Sequence, residues 1–63
     1  MMQDYYNVRR LALILAVQAE IEGMKSENML RNQLDESPAY GSQQFNDMAE
    51  QLRQLAYAPN EQL

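Results

Sequence analysis

Two tyrosines and two arginines near the start of the chain are the residues best suited to bind a ligand. Tyr5 and Tyr6 offer flat faces for stacking and hydroxyl groups for hydrogen bonds. Arg9 and Arg10 carry planar guanidinium groups that match phosphate or carboxylate. In an oligomer, symmetry would gather several such pairs near helix N-termini, whose free amide groups also favour anions. The pattern predicts an anion site between subunits; the alternative is packed tyrosines, with the arginines paired to acids such as Asp4.

The nine acidic residues form no recognisable catalytic or metal-binding arrangement. The sequence contains no Glu-x-x-His pair, calcium-loop spacing or glycine-rich phosphate loop. Histidine and cysteine are absent, which removes the commonest zinc ligands and the usual nucleophile–base pairs. We therefore expect no enzymatic activity, no metal and no cofactor. Glu27 and Arg31 stand four residues apart, the spacing of an ordinary ion pair on a helix surface.

The net charge of −4 and the pI of about 4.4 leave no bulk attraction for nucleic acid or anionic membrane, so neither is an expected partner. A helix-turn-helix function fits poorly, because Arg53 is the only basic residue in the second half of the chain. The apolar run 11–17 is too short to span a membrane, although with Arg9 and Arg10 it has the outline of a signal peptide. The run is short for a signal peptide and Asp4 lies in the basic flank, which argues against secretion. The absence of cysteine fits a reducing compartment, so we expect the cytoplasm of a bacterial or infected host cell.

The elements that must position these residues are two helices in one all-α domain over residues 1–63. Asp4 and Ser42 are predicted to cap them, and the segment 35–41, which contains Pro38 and Gly41, is predicted to break the helix between them. The predicted order is helix 5–34, loop 35–42, helix 43–57 and tail 58–63. This pattern indicates a helical hairpin with one long and one shorter helix.

The second helix has a single apolar stripe, whereas the first has two stripes on opposite sides. The stripe of the second helix consists of Phe45, Met48, Ala49, Leu52, Leu55 and Ala56. The first stripe of the long helix consists of Ile14, Val17, Ile21 and Met24, extended by Asn28 and Arg31. The second stripe contains only small residues: Ala12, Ala16, Ala19, Gly23 and Ser26. We expect Asn28 and Arg31 to reach solvent or loop carbonyls; the alternative is a buried Asn28 that fixes the register of a helical bundle.

A helix with two apolar faces needs two packing partners, and the second helix supplies one. The shorter helix is expected to cover mainly the C-terminal half of the long one, which leaves the all-round apolar run 11–17 exposed. Another copy of the chain is the simplest cover. We therefore predict a homo-oligomeric helical bundle, with an interface formed by Leu11, Ala12, Leu15, Ala16, Ala19 and Gly23.

The expected function is that of a homo-oligomeric interaction module or adaptor that binds a host or partner protein. The alternative is a protein that sequesters an anionic nucleotide in pockets between subunits, lined by Tyr5, Tyr6, Arg9 and Arg10. In size and composition the chain is similar in general type to accessory proteins of bacteriophages and mobile elements. No motif carries that similarity.

Overall fold

The computed structural model describes the backbone of residues 2–63 and the side chains from Asp4 onwards. Helix α1 spans Met2–Gln33 and helix α2 spans Ser42–Tyr57, and a single 3-10 turn follows at Asn60–Gln62. The described residues contain no strand, so the predicted all-α hairpin is confirmed. Helix α1 begins before the predicted position, and Asp4 therefore lies in its first turn instead of capping it.

Helix α1 ends in a Schellman motif centred on Asp35, which adopts a positive φ of 57°. The backbone N–H of Glu36 donates to the carbonyl of Arg31 at 2.8 Å, and that of Asp35 donates to Asn32 at 3.2 Å. These bonds satisfy carbonyls that the end of a helix otherwise leaves unpaired. Helix α1 therefore ends at Gln33, one residue before the predicted end, and the chain turns at Asp35, the first residue of the predicted loop 35–42.

Gly41, and not Ser42, is the N-cap of α2, which corrects the predicted cap. The backbone N–H of Gly41 donates to Oε1 of Gln44 at 2.9 Å, which ties the loop to the first turn of the helix. Gly41 has φ −107° and ψ −170°, an extended conformation open to any residue. Ser42 is the first residue of α2 and is exposed.

Asn28 fastens the loop to α1 through two hydrogen bonds with the backbone of Tyr40. Its amide Nδ2 donates to the carbonyl of Tyr40 at 2.8 Å, and its Oδ1 accepts the N–H of Tyr40 at 3.0 Å. Arg31 pairs with Glu27 at 3.1 Å, as the spacing predicted, and lies 3.9 Å from Glu36 in the turn. The expectation that Asn28 holds a loop carbonyl is confirmed.

The two helices run antiparallel, and α2 reaches further along α1 than the sequence indicated. The guanidinium of Arg10 donates to the carbonyl of Leu55 and, at 3.0 Å, to Oδ1 of Asn60. The loop returns to α1 at Asn28, and 16 helical residues then carry the chain about 24 Å towards the N-terminus. The expected restriction of α2 to the C-terminal half of α1 is therefore wrong.

The core between the helices is thin. Val17 of α1 and Met48 of α2, each 8% exposed, are its two buried residues among those described, and no described side chain is fully buried. The predicted stripe of α2 and the first predicted stripe of α1 surround them with half-buried residues, except for Ala56, which is exposed. Helix α1 passes through Gly23 without a break. We call the side of α1 that faces α2 its inner face.

Candidate interaction surface

The side of α1 directed away from α2 exposes five large apolar side chains, those of Val8, Leu11, Leu15, Met29 and Leu30. Its residues recur at three- and four-residue steps and therefore share one side of the helix. We call this surface the outer face of α1 and define it by Val8, Leu11, Ala12, Leu15, Ala19, Gly23, Ser26, Met29 and Leu30. Val8 is 67% exposed and Met29 is 64% exposed, although both are large apolar side chains. Within the described part of the chain most of this face is uncovered, although Leu52 of α2 lines a groove together with Leu15 and Ala19.

The predicted interface residues all have exposed positions in the single chain. Most of them belong to the outer face, while Ala16 lies at its edge and also lines a cleft beside α2. A Cβ atom built on Gly23 would meet nothing within 4 Å. Glycine costs about 1 kcal/mol relative to alanine inside a helix, and no contact in the chain itself requires it at this position.

The dimensions of the hairpin show how much surface it leaves open. Its radius of gyration is 15.1 Å, whereas a compact chain of this length has about 11 Å. Its accessible surface is 5067 Å², whereas a folded monomer of this mass exposes about 4,200 Å². The excess of roughly 900 Å² is close to the area of about 800 Å² that each partner buries in a standard protein interface.

The four predicted ligand residues do not converge in the single chain. Tyr5 and Tyr6 contact each other edge to face, with ring centroids 5.3 Å apart. Arg10 is directed at the C-terminal end of α2, where helix carbonyls lack partners within the helix and attract cations. Arg9 is exposed on another side of α1 and forms no hydrogen bond or ion pair with the residues that the structure describes.

Arg10 has a structural role that the sequence analysis missed, although a signal was present. It precedes Ile14 by four residues and Val17 by seven, and therefore continues the stripe that faces α2. An arginine at that position extends its side chain along the apolar stripe and keeps its charged end at the rim. Its acceptor Asn60 lies in the predicted tail, where no spacing rule indicated a contact.

An open cleft of about 720 Å³ separates α1 from the end of α2 and the 3-10 turn. Its apolar wall includes Leu13, Val17 and Leu55, and amide side chains such as Gln51 and Gln54 lie along it. Among the described residues that line this cleft, Glu20 is the only one with a charged side chain. A carboxylate repels anions, so this cleft does not supply the predicted anion site.

Two further features bear on function. Within the described part of the chain, no three acidic side chains form a group that could hold a metal ion. None of the described helices combines the length and apolarity needed to cross a membrane.

Comparison of the chain with protein-family models, with curated proteins and with solved structures finds no match.

Proposed function

We propose that the chain is a non-enzymatic, homo-oligomeric interaction module whose subunits associate through the outer face of α1. The outer face is the observation that carries this proposal, because it exposes five large apolar side chains between Val8 and Leu30 of a 32-residue helix. Exposed apolar surface on this scale marks an interface or leads to aggregation. A second copy supplies a matching apolar surface without requiring a different protein.

Association through α1 leaves the α2 side of each hairpin free for a partner protein. That side presents the open cleft and the ring of Tyr57, which is 86% exposed. Tyrosine is a frequent anchor at protein interfaces because it combines a large apolar ring with a hydroxyl. The proposed adaptor therefore uses α1 for assembly and α2 for recognition.

The contacts of Arg10 weigh against the alternative of nucleotide sequestration. An anion would have to displace the carbonyl of Leu55 and the side chain of Asn60, or be held by Arg9 without its neighbour. Arg9→Gln tests this alternative better than a change at Arg10, because it leaves the hairpin contacts intact. Nucleotide-induced stabilisation of the parent protein that disappears in Arg9→Gln would favour sequestration over the adaptor.

Light scattering coupled to size-exclusion chromatography tests the proposed assembly. We expect the parent to have a mass that is a multiple of 7.3 kDa at micromolar concentration. Leu15→Glu should dissociate it, because the substitution places a carboxylate in the apolar interface. Asn46→Glu is the matched control, since it adds the same charge at an exposed position on α2. A parent mass of 7.3 kDa at all concentrations would refute the proposal.

A further inference from the structure

The outer face has an uneven distribution of bulk that restricts how two copies can pair. Its large side chains lie towards its two ends, with Val8 and Leu11 at one and Met29 and Leu30 at the other. Between them, Leu15 is the one bulky apolar member, and Glu22, which pairs with Lys25 at 3.2 Å, lies on the same side of the helix. The remaining members are small: Ala12, Ala19, Gly23 and Ser26. In the middle of the face, close packing favours Leu15 of one helix opposite a small residue of the other, while the bulky residues at the two ends can pack against each other.

We infer, on the basis of the proposed function, that the second copy lies antiparallel on the outer face of α1, with the twofold axis at Ala19. In this arrangement Leu15 faces Gly23 of the partner subunit, where a missing Cβ leaves open space. Ala12 faces Ser26 of the partner subunit, and Val8 faces Leu30 of the partner subunit. Each contact occurs twice by symmetry, and the two Ala19 residues meet on the axis.

A parallel pair in the same register matches the surfaces less well. Each residue would then face its own copy, so Leu15 would meet Leu15 of the partner subunit while Gly23 would meet Gly23 of the partner subunit. The first contact doubles the bulk at one level, and the second leaves a gap two turns further along. Interiors with gaps lose dispersion contacts, and crowded ones force side chains away from their preferred rotamers.

Charge favours the same antiparallel orientation. Arg9, which has no ion pair or hydrogen bond among the described residues of its own chain, comes within reach of Glu27 of the partner subunit. Glu27 already pairs with Arg31 at 3.1 Å, so the dimer would form a three-residue network at each end. The antiparallel order also sets the positive end of each helix dipole beside the negative end of the other.

Disulfide cross-linking tests the inference directly, because the parent chain contains no cysteine. Single variants Ala19→Cys, Ala12→Cys and Ser26→Cys place one thiol at exposed positions, so the helix is preserved. On oxidation of the assembled protein, Ala19→Cys should form a covalent dimer. Neither Ala12→Cys nor Ser26→Cys should form a covalent dimer when oxidised by itself, because the two copies of either residue lie about 21 Å apart in the antiparallel pair. When mixed, these two variants should cross-link to each other.

The other outcomes each contradict a definite statement. Efficient self-linking of all three variants would show a parallel pair and overturn the inference. An oligomer by light scattering in which none of the variants cross-links faster than the control Asn46→Cys would show that the outer face is not the interface. A monomer by light scattering would overturn the proposed function itself. Circular dichroism on each variant verifies that the helical content equals that of the parent.

Discussion

The two faces of α1 carry comparable apolar side chains but meet different surroundings. The inner face packs Val17 against α2, and its polar ends are fixed by the hydrogen bonds of Arg10 and Asn28. The outer face has no such fastening, and Leu15 and Met29 remain more than half exposed. The hairpin therefore buries the inner apolar face of α1 and leaves the outer one exposed. In the proposed assembly, a second copy would bury the outer face as α2 buries the inner one.

Met48→Ala should have the largest effect, because Met48 is one of the two buried residues of the core. We expect a loss of about 2 kcal/mol, at the lower end for such substitutions, because the surrounding core is thin. In the monomeric Leu15→Glu background, urea unfolding followed by circular dichroism measures this loss without the contribution of assembly. Met29→Ala is the matched control on the outer face and should change stability by less than about 0.5 kcal/mol. Equal losses would contradict the distinction between the two faces.

Asn28→Ala should lower the stability of the same background by about 1–2 kcal/mol, because two hydrogen bonds to the backbone of Tyr40 are lost. Asn28→Asp should fall between the parent and Asn28→Ala, since it keeps the acceptor and loses the donor. The urea midpoint of each variant gives the comparison. Asn32→Ala, one turn further on and exposed, is the control. A loss in Asn32→Ala as large as that in Asn28→Ala would show that helix propensity, and not the loop contact, is responsible.

Gly23→Ala should have the smallest effect on the single chain and should reverse sign on assembly. In the Leu15→Glu background it should stabilise α1 by up to about 1 kcal/mol, because the new methyl group meets open space. In the parent it should weaken association, since the proposed partner places Leu15 there. Thermal unfolding of the background variant and the concentration dependence of mass in the parent measure the two effects. Stronger association in Gly23→Ala would contradict the close crossing.

Periodicity was sufficient to predict the hairpin, because Ile14, Val17 and Ile21 recur at steps that only a helix places on one side. It could not predict the positive φ of Asp35, since aspartate is an uncommon residue at a position that usually takes glycine. The bond from Arg10 to Asn60 depends on the register of the two helices, which no local spacing fixes. Assembly depends on contacts with a second chain, so the sequence could indicate only which surface of α1 lacks a packing partner.

The contact between Asn28 and Tyr40 also sets the order in which the hairpin closes. These residues are 12 apart in the chain, whereas Arg10 and Leu55 are 45 apart. Forming the longer loop directly from the unfolded chain costs about 1 kcal/mol more in entropy. The hairpin should therefore zip from the loop towards its free ends, and it should fray in the reverse order. In hydrogen exchange, the last turn of α2 should exchange its amide protons sooner than the turns beside the loop.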